Sequence, residues 1–248
     1  MNEITYLSVR RTISILLAIL WPAVLYISNL VNRGYWPLVI GWFTCILVYT
    51  FWVVQELEVL KLNRLPSLFY VWFTLIAWGG LWLVIPVSYA VWYLIASLFS
   101  MYFLLRTVGK FGDTVMVWRQ VLVSFPTGVL LLALSQLVPF SQPVYLLIAF
   151  LMSLGLLRGT LTYLPFESSK VLIGSLVLGV VMTELLWIFS LISIDFAWLG
   201  FIWFMIFHTI WTMYYHYMYQ TLTRQRAIFQ IIICALSSGI ALTLVLVI

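Results

Sequence analysis

The chain has 248 residues, of which 65% are hydrophobic and 8% are charged. A water-soluble domain carries about 25% charged residues to cover its surface, so this composition excludes an ordinary soluble fold and makes a lipid bilayer the natural solvent. The net charge of +5 does not point to nucleic acid, because the basic residues fall between apolar runs rather than in one patch.

The chain opens MNEITYLSVRR and continues into about 20 apolar residues. This looks like the start of a signal peptide, but no small-residue cleavage site with a polar mature sequence follows. The expectation is a retained first helix that also acts as signal anchor. A membrane helix needs ~20 mostly apolar residues to cross ~30 Å of hydrocarbon. Nine runs meet or approach that length, near 12–31, 36–55, 66–86, 87–105, 117–137, 143–157, 171–193, 196–217 and 227–248. The sixth is the shortest.

Short connections carry turn-forming residues, as at Asn32-Arg33-Gly34, Pro86 and Pro139 to Pro143. A transmembrane β-barrel is excluded, since its strands are about ten residues long and alternate strictly. The predicted fold class is all-α: one polytopic helical membrane domain over residues 1–248, with about nine transmembrane helices. No internal repeat is evident between the halves.

Lys and Arg accumulate in cytoplasmic connections. With the N-terminus inside, the cytoplasmic segments hold Arg10, Arg11, Lys61, Arg64, Arg106, Lys110, Arg119, Arg158, Lys170, Arg224 and Arg226, leaving only Arg33 of the 12 basic residues outside. Deleting the sixth span would put Arg224 and Arg226 outside. The pattern therefore predicts a cytoplasmic N-terminus and an outer C-terminus. The absence of an Asn-x-Ser/Thr sequon leans toward a bacterial or archaeal plasma membrane. Trp36, Trp118 and Trp198 fall where interfacial belts form, and Trp42, Trp78 and Trp187 lie deeper.

Ionisable groups inside the hydrocarbon cost ~2.5–3.5 kcal/mol even on insertion scales and are functional candidates by default. Two stand out, Glu184 in span seven and His208 in span eight. Counting along each span places them about one helical turn apart in depth, so a Glu–His contact is open to them if both point inward. On span eight, His208, Thr212, Tyr215 and Tyr219 share an arc of about 60°, a polar and aromatic stripe from mid-membrane to the cytoplasmic edge. His216 lies to one side. The functional reading is a proton or polar-substrate path. The competing reading is that Glu184 and His208 fix helix packing through hydrogen bonds.

Gln55, Glu56 and Glu58 read as a solvated end of span two, with pairing of Glu56 to Lys61 or Arg64 as the alternative, and Arg119 is expected to snorkel to the surface. Pro126 is expected to kink span five. Small residues at Ser175/Gly179 and Ala235/Ser238/Gly239 permit close helix contact.

Phe204 and His208 fit FxxxH, with Glu184 upstream, which resembles in part the CAAX-type intramembrane proteases. The resemblance would make these residues catalytic. It departs at Thr183, where the family pattern has a second Glu, and at Ile188, where it has Arg, and only His216 offers a further His.

No metal spacing, phosphate loop or dinucleotide fingerprint is present, so no metal and no cofactor is expected. Cys45 and Cys234 sit in apolar runs and read as packing residues. The expected partners are the lipid bilayer and a membrane protein or further copies of the chain, with no nucleic acid. The function this favours is a non-enzymatic membrane subunit or scaffold. The alternative is a small proton-coupled or hydrophobic-substrate transporter using Glu184 and His208. An intramembrane enzyme acting on lipid or peptide comes third.

Overall fold

The computed structural model describes residues 3–31, 36–59, 64–82, 90–107, 113–138, 141–161 and 168–247. Among these residues the chain is all-helical, with nine helices: α1 Glu3–Val31, α2 Trp36–Val59, α3 Arg64–Trp82, α4 Ala90–Thr107, α5 Asp113–Leu137, α6 Gln142–Leu161, α7 Ser168–Ser190, α8 Phe196–Met218 and α9 Arg224–Val247. The described part of each of the nine apolar runs falls on one helix, except that 191–193 form the turn after α7, and α6 extends past the expected 143–157 at both ends. The expectations for Arg33, Lys61, Pro86, Lys110 and Ile248 fall outside the described residues.

Among the described residues, five stretches are long and apolar enough to cross a membrane: Val39–Glu56, Thr114–Leu137, Ser169–Ser190, Phe196–Met218 and Arg224–Val245. Shorter apolar stretches occur at Thr12–Val24, Val91–Thr107 and Gln142–Arg158. Such helices are consistent with an integral membrane protein.

The handling of hydroxyl groups is consistent with it too. With no water to bond, Ser and Thr in apolar helices donate to the carbonyl one turn back. Thr50 donates to the Ile46 carbonyl, Thr74 to Tyr70, Ser100 to Ala96, Ser124 to Gln120, Thr127 to Val123 and Thr183 to Gly179. Pro22 in α1 and Pro126 in α5 lie within continuous helices.

The chain forms two compact units, Met1–Arg119 and Gln120–Ile248. In the first, α1 packs against α2 and α4, and α3 against α2 and α4. Gly41 in α2 takes Val24 of α1 so closely that an added Cβ would lie 2.4 Å from Val24 Cγ1. Tyr49 Oη donates to the Leu17 carbonyl at 2.6 Å, and Trp72 Nε1 to Thr50 Oγ1 at 2.8 Å.

The first unit also corrects two expectations. Glu56 does not end in solvent. Arg10 Nε stands 2.7 Å from Glu56 Oε2, and both residues are buried. This contact comes from α1 because Glu56, near the end of α2, faces the start of the antiparallel first helix. Arg119 does not snorkel, being 2% exposed. Its Nε donates to Thr107 Oγ1 at 3.1 Å, its Nη2 donates to the Thr107 carbonyl, and its guanidinium lies 5.9 Å from the Tyr70 ring centre. A buried guanidinium is tolerable when bonded and laid over an aromatic face.

In the second unit, α7 packs against α6 and α8, and α9 against α8. The part of α5 after Gln120 meets α8 through two glycines: a Cβ on Gly200 would lie 2.6 Å from Val129 Cα, and one on Gly128 would lie 2.3 Å from Trp203 Cε3. The α5 and α8 backbones therefore touch. Phe125 packs edge-on to Phe204 with ring centres 5.6 Å apart.

Candidate functional site

The relation of α7 to α8 decides whether Glu184 and His208 meet. Asp195 caps α8 by accepting from the Ala197 N–H at 2.8 Å, so the turn between the helices is short and they run antiparallel. Two hydrogen bonds fix their register. Trp203 Nε1 donates to the Met182 carbonyl at 3.2 Å, and Tyr214 Oη donates to the Lys170 carbonyl at 3.2 Å. By this register His208 stands opposite about Leu176. Glu184 lies eight residues farther along α7, about 12 Å away along the axis at 1.5 Å per residue. The expected separation of one turn is in fact about two.

The side chains also face different ways. Glu184 is exposed on an outer face of α7, amid exposed Val180, Val181, Trp187 and Ile188. No hydrogen bond or ion pair holds it among the described residues. His208 is half-buried in α8, its ring stacked between Phe204 at 5.9 Å and Trp211 at 6.2 Å. Its buried Nδ1 makes no hydrogen bond among the described residues.

The stripe on span eight is a column of rings. Trp211 and Tyr215 stack at 5.4 Å, and Tyr215 and Tyr219 pack at 4.8 Å. Thr212 and Tyr215 are buried, and Tyr219 is exposed. Thr212 Oγ1 makes no hydrogen bond among the described residues, and neither does Ser175 Oγ on α7, at the depth of His208 by the same register. His216 Nδ1 lies 3.0 Å from Thr221 Oγ1, so this histidine ties the end of α8 to the following turn.

The structure thus separates Glu184 from His208, Thr212 and Tyr215. The proteolytic arrangement that the Phe204–His208 resemblance implies is not assembled, because the carboxylate faces away from the imidazole and is about two turns distant. Among the described residues no group of three His, Cys, Asp or Glu side chains is placed to hold a metal ion.

Sequence reasoning missed the buried contacts of Arg10 with Glu56 and of Arg119 with Thr107 and Tyr70. The only available signal was the position of both arginines at helix starts, which a snorkelling residue shares. No family model, curated protein or solved structure matches the chain.

Proposed function

We propose that the protein is a non-enzymatic subunit or scaffold of a membrane assembly. Its nine helices all span a plasma membrane of bacterial or archaeal type, with the N-terminus cytoplasmic and the C-terminus outside. The observation that carries the reading is the outward position of Glu184. A transporter or enzyme turns its mid-membrane carboxylate into its own interior, toward substrate, water or a catalytic partner. An exposed carboxylate on an apolar helix has no such use within the second unit. It is costly against lipid and satisfied against another protein. Exposed apolar side chains along α7 and α9 give such a protein a large area to cover.

Purification of the tagged chain from its own membrane in mild detergent, with mass spectrometry of the product, tests this. The expected result is a stoichiometric complex with another membrane protein or with further copies. Recovery of the chain alone, together with an ion or solute flux through it, would replace this reading with the transporter.

That second reading draws on a specific observation of its own. Ser175, His208 and Thr212 carry buried polar atoms without hydrogen bonds among the described residues, and water or a small polar solute would satisfy them. His208→Ala abolishing flux while Glu184→Gln leaves it intact would favour it.

A further inference from the structure

Trp203 of α8 touches two neighbouring helices at once. A Cβ added to Gly128 of α5 would lie 2.3 Å from its Cε3, and its Nε1 donates to the Met182 carbonyl of α7 at 3.2 Å. Gly128 and Met182 therefore share one level. Both helices run antiparallel to α8. Gly200 and Phe204 meet Val129 and Phe125 in turn, while Trp203 and Tyr214 meet Met182 and Lys170. So α5 and α7 run the same way, and counting back from the indole keeps them level. Gln120 on α5 then stands about 12 Å down the axis from Gly128, and Ser175 on α7 about 10.5 Å down from Met182. The two residues lie side by side in depth, within the second unit.

Both are 0% exposed. Gln120 belongs to the buried stripe of α5 with Ser124, Thr127 and Leu131, and Ser175 to that of α7 with Val171, Met182 and Leu186. Gln120 Nε2, Gln120 Oε1 and Ser175 Oγ make no hydrogen bond among the described residues. The neighbouring hydroxyls behave differently, since Ser124, Thr127 and Thr183 each donate to a carbonyl of their own helix. Ser175 does not close back in this way, so its hydroxyl is turned toward a partner off its helix. An amide in an apolar interior is too costly to leave without hydrogen bonds.

We infer that a bound water molecule joins α5 to α7, hydrogen-bonded to the Gln120 amide and the Ser175 hydroxyl. A buried water typically makes about three hydrogen bonds to polar groups that have no other partner, and three such atoms stand at this level. Water both donates and accepts, so it serves the amide N–H, the amide oxygen and the hydroxyl together. A direct bond from Ser175 would meet only one end of the amide. No ionisable side chain lies on α5 from Gln120 to Leu137 or on α7 from Val171 to Thr183, and the guanidinium of the adjacent Arg119 is bonded to Thr107. The site therefore suits a neutral ligand. It stands whether the chain is a subunit or a transporter.

The test uses the full chain in lipid nanodiscs, isotope-labelled at the glutamine nitrogens, and reads NMR cross-peaks between water and the Gln120 side-chain N–H protons. Gln120→Met, unbranched and of similar size, identifies the resonance by its loss. The expected result is a water cross-peak in the parent chain that is lost in Ser175→Ala. A Gln120 amide without a water cross-peak, or one in contact only with Ser175, would overturn the inference. So would a cross-peak unchanged in Ser175→Ala. Should either variant fail to fold, the parent chain decides alone, by a structure at a resolution that shows ordered water. Density about 3 Å from both Gln120 and Ser175 supports the site, and its absence or a direct bond between the two side chains overturns it.

Discussion

Arg10 and Glu56 show what one buried contact is worth. Both are buried and 2.7 Å apart, so removing one takes a direct ionic contact away from a buried group. Breaking such a pair typically costs 3–5 kcal/mol, whereas replacing both partners by apolar residues is often neutral. Arg10→Ala should therefore lower stability by about 3 kcal/mol, read as a clear drop in melting temperature in detergent. Arg10→Leu combined with Glu56→Leu should recover most of it. If the double variant is as unstable as the single one, the pair holds the α1–α2 contact through more than its charges. The existence of ionisable residues near helix ends was legible in the sequence. The contact between Arg10 and Glu56 was not, since Arg10 lies a whole span away from Glu56 in the chain.

At the scale of elements, glycines mark where helices touch and where they do not. A Cβ on Gly200 would meet the α5 backbone at 2.6 Å, and backbone cannot swing aside, whereas one on Gly239 in α9 meets nothing within 4 Å. Gly200→Ala should destabilise the protein by about 1–3 kcal/mol, the range of overpacked cores. Gly239→Ala should be neutral or slightly stabilising, since Ala is the better helix former. Thermal unfolding of the two variants side by side checks both.

The end of α8 offers a further case. Gln220 has φ 56°, in the left-handed region that glycine occupies freely. Its turn closes with the Thr221 N–H donating to the His216 carbonyl at 2.9 Å. Gln220→Gly should stabilise by about 1 kcal/mol, the cost of that conformation for a residue with a Cβ, and an unchanged or lower melting temperature would count against it. The sequence marked this stretch as a connection. It did not reveal a left-handed residue, because no glycine or asparagine advertises one.

For the whole molecule, the proposed nine spans make a definite statement about sides. Ser193, between α7 and α8, should lie outside, and Gln225, at the start of α9, inside. A membrane-impermeant maleimide should label Ser193→Cys in intact cells and reach Gln225→Cys only after permeabilisation. The opposite result would invert the orientation. Labelling of both from outside would remove α8 as a span. The charge pattern carries this expectation, and a shortened α6 would have undermined it. As a helix α6 runs Gln142–Leu161, but its apolar stretch is the shorter Gln142–Arg158, so the labelling is the direct test of the sixth span.

The sequence by itself determined which of the described segments are helices. Hydrocarbon thickness sets a length, backbone groups in lipid must be satisfied within the segment, and both constraints act locally. What faces what was decided only by tertiary structure. A soluble helix shows its inner face by an apolar stripe, but α6 and α7 are apolar nearly all round, so nothing in their composition separates inside from outside. Glu184 and His208 were conspicuous as residues. Their separation depended on the register that Trp203 and Tyr214 impose on α7, which sets the carboxylate about two turns from the imidazole.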